Sequence, residues 1–403
     1  MLSFLKVIVR KNAPLLRLAV QLIGVQAAFL NSQIKMVVST WFVRKPPVVF
    51  YCEIESHLQN VMDVIVEMSN AGRIVTVVTG FRPESNLLES LQGVTAVESN
   101  SRALLSIMRA RLFITPCVGF PRPYSPHGSS VVHFLVSLTN LDGVFADHDF
   151  DDCDYIFCAG DHQISDFVKL SKRRNLAGKV VIPGGYPKLD SQIQWLAKHR
   201  QDIAYKKAVK VVVYAPTHVY DVNENLASLR RNGEGIVCSL LDSGFAVIFR
   251  PHPVSFTSDD KTFVEKICAD HQSNPRFTLD ESKNYMKSYA QADLMVTDLS
   301  GTGFTFAFTF QRPAIFFSPD AHSEAGLEGI QFNSRNEIGD VVRSLPELHS
   351  KSLLMMGNLR EFETKIVLFR DRTIFNFGSS AKYFCQCLPY IERGESDKDW
   401  VVL

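Results

Sequence analysis

The chain has 403 residues, 46% hydrophobic and 21% charged, which is more than one core usually serves and excludes a disordered tail protein. Forty-three Lys and Arg against 42 Asp and Glu leave a formal charge of +1, so no global field draws the molecule to nucleic acid. The eight cysteines, Cys52, Cys117, Cys153, Cys158, Cys238, Cys268, Cys385 and Cys387, form no Cys-x-x-Cys pair and no His cluster, which points to reduced thiols in a cytosol and no structural zinc.

The charge is unevenly spread. Residues 1–52 contain no Asp or Glu, and Lys6, Arg10, Lys11, Arg17, Lys35, Arg44 and Lys45 make that stretch +7, leaving the remainder near −6. Its least charged part, between Arg17 and Lys35, carries Gln21, Gln26, Asn31, Ser32 and Gln33 and falls short of the roughly 20 apolar residues a bilayer crossing needs. No small-residue cleavage site follows it, which disfavours a secretory signal. On a helical wheel Lys6, Arg10, Arg17, Gln21 and Lys35 share a face, with Leu, Ile, Val and Phe covering much of the rest. Residues 1–45 therefore read as a basic amphipathic arm on an anionic membrane surface. The alternative is a helix packed on the protein, interrupted at Pro14.

From Pro46 onward, runs rich in Val, Ile and Phe alternate with helical periodicity, the signature of parallel sheets flanked by helices. Strands are expected at Val48 to Tyr51, Ile74 to Val78, Arg111 to Thr115, Val131 to Leu138, Tyr155 to Cys158 and Val180 to Ile182. Ser56 and Gln59 form a capping-box pattern opening a helix to about Asn70. A polar helix follows Pro187 and ends near Asp202. A second series has strands at Val209 to Tyr214, Ala246 to Arg250, Leu294 to Thr297 and Ala314 to Phe317, with helical segments around 224–242, 259–271 and 336–344. The expected fold is α/β, two Rossmann-like domains facing across a cleft, spanning 46–205 and 206–350, with 351–403 a helical segment packing back on them. No internal repeat or low-complexity tract is visible.

Ligands of open α/β sheets bind beyond the carboxyl ends of the strands. Three junctions of the second series are unusually polar there: Ala215-Pro216-Thr217-His218, Arg250-Pro251-His252-Pro253 and Thr297-Asp298-Leu299-Ser300-Gly301-Thr302-Gly303. The last leads into a helix-like apolar run, Phe304 to Phe310, whose first turn can meet an anion through backbone N–H groups. Ser300 and Thr302 add hydroxyls, and Gly301 and Gly303 allow close approach. Arg250 offers a fork suited to phosphate, and His252 an imidazole for charge on a departing nucleotide. His133, inside the apolar run from Val131, is placed to act as general base, although a lone His in such a run is more often a core residue. His127, His148, His162 and His218 are weaker candidates on loops. Asp149, Asp151 and Asp152 read as a solvated loop, so metal dependence stays open and no organic cofactor is expected.

Together, Tyr214-Ala-Pro-Thr217, Arg250-Pro-His-Pro253 and the stretch Ala292 to Gly301, followed by Arg312-Pro-Ala-Ile-Phe-Phe317, resemble the CDP-glycerol glycerophosphotransferase family of teichoic acid synthesis in order and spacing. Gly185-Tyr186-Pro187-Lys188-Leu189-Asp190 is similar to that family's Gly-x-Pro-Arg-x-Asp segment. The resemblance implies a GT-B-like fold in a peripheral enzyme of the cytoplasmic membrane face, with donor nucleotide on the second domain and a lipid-linked or polymeric glycan acceptor on the first. It assigns His252 to the donor phosphates, Ser300, Gly301 and Thr302 to the phosphate-binding turn, and the second histidine, proposed as base, to His133. The family's Trp-His-Gly followed by Lys is here Val132-His133-Phe134 running to Leu138.

The expected reaction is attack of an acceptor hydroxyl, relieved of its proton by His133, on the β-phosphorus of a CDP-linked polyol, with release of CMP. Thr217, Arg250, Asp298 and Ser300 to Gly303 complete the donor site. The alternatives are glycosyl transfer from a nucleotide-sugar on the same fold and a non-catalytic membrane-bound assembly protein.

Overall fold

The structure, a computed structural model, describes residues 33–34, 37, 40–41, 46–83, 86–141, 145–146, 148–199, 209–218, 225–324 and 326–403. Most of the basic arm, including Lys6, Arg10, Arg17, Gln21 and Lys35, lies outside the described residues. The chain divides into two compact units. The first is Met1–Phe134 with Phe150–Tyr155 and Pro389–Glu395; the second is Leu135–Asp149 with Ile156–Leu388 and Ser396–Leu403.

The first unit carries parallel strands β1 (Val48–Cys52), β2 (Val75–Thr79), β3 (Val94–Glu98), β4 (Leu112–Thr115) and β5 (Ser130–Phe134), neighbours in the order β3-β2-β1-β4-β5. Every residue of β1 is buried, which is why it reads as a continuous apolar run rather than an alternating one. Helix α1 (Glu55–Asn70) turns Leu58, Val61, Val64, Ile65 and Met68 inward at helical spacing. It starts two residues earlier than the Ser56 capping box requires: Ile54 occupies the cap position and no side chain bonds there.

The expected strand Val131 to Leu138 ends early, at Phe134. Beyond it the Val136 carbonyl accepts from the Tyr186 hydroxyl and the Ser137 carbonyl from the Gln163 amide. Side chains there replace a strand ladder as the backbone's partners.

In the second unit β6 (Tyr155–Cys158), β7 (Val180–Pro183) and the antiparallel β14 (Val401–Val402) are neighbours. The larger sheet comprises β8 (Val211–Tyr214), β9 (Ala246–Phe249), β10 (Phe277–Leu279), β11 (Leu294–Thr297), β12 (Ala314–Phe317) and β13 (Gly339–Val342). All are parallel, in the order β10-β9-β8-β11-β12-β13. Helices α2 (Asp161–Arg174), α3 (Pro187–Lys198), α4 (Leu229–Asp242), α5 (Lys261–His271), α6 (Thr302–Phe310), α7 (Leu345–Gly357), α8 (Leu359–Thr373) and α9 (Ser380–Arg393) complete the described chain's main elements.

Residues of β8 alternate between two cores: Val212 and Tyr214 pack with Ile236, Val237 and Leu240, whereas Val213 packs with Met295, Phe304 and Phe316. Burial on both faces is what a parallel sheet between helix layers demands. The segment expected as a helix around 336–344 is instead a short helix, Arg335–Ile338, followed by β13. Gly339 fits there because the Ala314 backbone leaves no room for a Cβ. All eight cysteines are free. Among the described residues no helix is long and apolar enough to cross a membrane.

Candidate functional site

The three polar junctions all lie in the second unit, at the carboxyl ends of adjacent strands. Val213 of β8 stands between Ile248 of β9 and Met295 of β11. Their parallel direction brings the loops 215–218, 250–253 and 298–303 to one edge of the sheet.

Asp298 builds this edge. It is 1% exposed, and its carboxylate accepts from the backbone N–H groups of Thr217 (3.0 Å), Leu299 (2.9 Å) and Ser228 (2.8 Å) and from the Ser228 hydroxyl (2.8 Å). Burial raises its pKa, against the lowering effect of the Thr217 and Ser228 hydrogen bonds. The carboxylate thus fixes Thr217 and the start of α4 relative to β11, and its oxygens are turned toward protein donors.

Arg250 is also engaged within the protein. Its guanidinium meets the Asp280 carboxylate at 2.6 Å and donates to the Ser282 carbonyl at 2.8 Å, lying 5.8 Å from the Tyr285 ring centre. Burial pushes the Asp280 carboxyl up, but hydrogen bonds from Ser282 and Ser288 together with Arg250 hold it below its ordinary value. The fork is therefore spent on holding β9 to the segment after β10.

His252 is exposed, between Pro251 and Pro253. Its Nδ1 accepts from the Val254 N–H at 3.3 Å, so a neutral ring carries its hydrogen on Nε2. The His218 ring stacks against it, centroids 6.0 Å apart. His218 Nδ1 in turn lies 2.9 Å from Asp260. Partial desolvation of the His252 ring and the neighbouring imidazole lower its pKa, with Asp260 opposing. Sequence reasoning ranked His218 low and missed Asp260, which lies 42 positions further along.

In the turn before α6, the Thr302 N–H donates to the Ser300 hydroxyl at 3.1 Å. A Cβ on Gly301 would come within 2.9 Å of Thr139 Cγ2, and one on Gly303 within 2.8 Å of the Phe316 ring. Gly301 thus lets Ser137 and Thr139 approach the turn, whereas Gly303 serves packing. Beyond Thr139, Asn140 accepts from the Ile330 N–H at 2.6 Å and donates to Asp166 at 2.8 Å. It lines a cavity of about 470 Å³ with His162, Asp166, Lys169, Glu328 and Arg372. His162 Nε2 lies 2.8 Å from the Leu138 carbonyl and therefore carries the ring hydrogen.

His133 belongs to the first unit, where β5 pairs it with Thr115 of β4. It is 1% exposed, its ring lies edge-on to Phe150 at 5.3 Å, and neither ring nitrogen has a hydrogen-bond partner. Burial, helped by His57, lowers its pKa to about 3.

Solved structures share this architecture. The wall teichoic acid polymerase TagF is 16% identical, with a TM-score of 0.60 over 93% of this chain and 97% of that one. UDP-GlcNAc 2-epimerase of Methanocaldococcus jannaschii is 12% identical, with a TM-score of 0.57 over 85% and 99%. A glycosyltransferase from Rickettsia africae is 10% identical, with a TM-score of 0.53 over 87% and 99%. Among curated proteins no sequence matches. These likenesses define an α/β fold built on parallel sheets, as the alternation of strands and helices implied, and a GT-B-like one, as the family resemblance implied. Residues 127–385, more than half of the chain, match CDP-Glycerol:Poly(glycerophosphate) glycerophosphotransferase. The chain belongs to that family and is a transferase of phosphate-containing groups.

Proposed function

We propose that the protein moves a glycerol-phosphate-like group from a CDP-activated polyol to a hydroxyl of a lipid-linked or polymeric glycan acceptor, in teichoic-acid-like synthesis at the cytoplasmic membrane face. The new bond joins the acceptor oxygen to the β-phosphorus, the bond to the bridging oxygen breaks, and CMP leaves with that oxygen. Residues 206–350 hold the donor and residues 46–205 present the acceptor, with the basic arm 1–45 on the anionic surface where a lipid-linked acceptor resides.

The observation that carries this reading is the gathering of Thr217, His252 and the Ser300–Gly303 turn on three adjacent strand ends, within a chain whose family transfers glycerophosphate. The α6 start favours an anion through its backbone N–H groups, and His252 adds a ring N–H. Asp298 and Arg250 position these loops from behind. The enclosed His133 is a poor proton acceptor at neutral pH, so the attacking hydroxyl loses its proton to another group or to solvent.

The test is to incubate the full chain with CDP-glycerol, CDP-ribitol and UDP-sugars and identify the nucleotide released. CMP from a CDP-polyol, lost in His252→Ala, is expected. UDP alone would establish glycosyl transfer instead.

A further inference from the structure

We propose that the cavity lined by α2, α8 and residues 328–334 binds a neutral polyhydroxylated unit, a sugar or an alditol, and seats the hydroxyl-bearing end of the acceptor. This rests on the reading that the Ser300–Gly303 turn beside it receives the donor's phosphates.

The floor of the cavity is fixed before any ligand arrives. Asn140 accepts from the Ile330 N–H at 2.6 Å and donates from Nδ2 to Asp166 Oδ2 at 2.8 Å, and its own backbone N–H meets Gln331 Oε1 at 3.1 Å. The Leu141 N–H donates to the same Asp166 oxygen at 2.8 Å. Gly329, at a φ of 122°, lets the segments close, because a Cβ there would come within 2.8 Å of Asn140. Both bonds to Asp166 end on Oδ2. The residue is 5% exposed and lines the cavity, yet Oδ1 accepts from no donor among the described residues and is not sealed from solvent. A carboxylate oxygen so placed calls for a hydrogen-bond donor, which a ligand hydroxyl supplies.

Around the rim stand Asp161, Ser165, Asn333 and Ser334, whose side chains make no hydrogen bond within the described chain. With Asp166 they offer carboxylates that accept from hydroxyls, and an amide and two hydroxyls that both donate and accept, the mixture that a row of neighbouring alcohols requires. The rim cations are paired, Lys169 with Glu328 at 3.5 Å and Arg372 with Glu337 at 2.9 Å. That balance suits an uncharged ligand better than a phosphate. The volume of about 470 Å³ falls within the roughly 300–1,000 Å³ of small-ligand sites.

One loop joins the cavity to the phosphate turn. From α2, His162 Nε2 donates to the Leu138 carbonyl at 2.8 Å, and Gln163 Nε2 to the Ser137 and Thr139 carbonyls at 2.8 and 3.1 Å. The same loop approaches Gly301 through Thr139, and Phe369 of the cavity wall packs on Phe304 of α6, ring centres 6.5 Å apart. An alcohol held at Asp166 is therefore one loop away from the turn.

The experiment records saturation-transfer NMR from the full-length chain to ribitol and to glucose, with inorganic phosphate as competitor. It also measures KM for CDP-glycerol and for a water-soluble disaccharide glycoside as acceptor. The unaltered protein is compared with Asp166→Asn, which keeps one oxygen for Asn140 and Leu141 and turns Oδ1 into a donor. Ser165→Trp fills the mouth from an exposed position of α2. Transfer to both probes is expected in the unaltered protein and its loss in Ser165→Trp. In Asp166→Asn probe affinity is expected to fall about tenfold, the scale of one charge-assisted hydrogen bond, with the acceptor KM rising by the same factor and the donor KM unmoved. No transfer, transfer that survives Ser165→Trp unchanged, or displacement of the probes by phosphate overturns the proposal. So does a rise in the donor KM in place of the acceptor KM. If the probes bind as expected but CDP-glycerol yields no CMP, the cavity stands as a polyol site and the transferase reading fails on its own.

Discussion

Both nitrogens of His133 are enclosed beside Phe150 without a partner, so protonating the folded protein there means charging an undefended interior. The unfolded chain takes up that proton near the ordinary value of 6.5, whereas the folded chain does so only near 3. The contribution of neutral His133 is therefore fully present above pH 6.5 and is lost as the pH falls through this window, by about 1.4 kcal/mol per unit. Between pH 6.5 and 5, His133→Leu is expected to lose about 2 kcal/mol less stability than the unaltered protein, as read by denaturant unfolding at each pH. An identical loss in both would mean that the ring finds a partner or water on protonation. From sequence, a histidine inside Val131 to Leu138 admits either a base or a core residue. Only the packing of β5 distinguishes them, because the period-two rule does not say whether a strand's second face is also covered.

Among the elements, those legible in the sequence were the central strands such as β1, β8 and β11, where burial on both faces leaves uninterrupted apolar runs. The ones missed are at sheet edges. In β3, Val94–Glu98, most positions are half-buried or exposed, and β10 is only three residues long, so neither carries the hydrophobic signal of a buried strand. At β13 the Ile338-Gly339-Asp340-Val341-Val342 pattern reads as helix from sequence, because the close approach to β12 that Gly339 permits is a tertiary fact. The turn before α6 tests the division of labour between its glycines. Gly303→Ala places a methyl against Phe316 and is expected to cost about 1–3 kcal/mol in denaturant unfolding. Gly301→Ala pushes instead on Thr139 and is expected to cut CMP release by roughly ten- to a hundredfold through misplacement of the turn. Equal effects of the two substitutions on both measurements would refute that assignment.

At the scale of the whole molecule, the loops after β8, β9 and β11 could be grouped from sequence because parallel strands send their carboxyl ends to one edge. The engagement of Arg250 by Asp280 and of His218 by Asp260 could not, since each joins residues 30 or more positions apart through side-chain geometry. The charge of residues 1–52 gives a further expectation. Replacing Lys6, Arg10, Lys11 and Arg17 by Glu in the full chain should abolish co-sedimentation with anionic vesicles at low salt and leave CMP release unchanged with a water-soluble acceptor. Retained sedimentation would place membrane contact elsewhere.

The central claim is transfer of the phosphoryl group itself, and isotope at the β-phosphorus reports on it without intermediaries. With CDP-glycerol labelled by ³²P at that position, the label should pass to the acceptor and leave unlabelled CMP. Label remaining with the nucleotide, as CDP, would contradict the proposed chemistry.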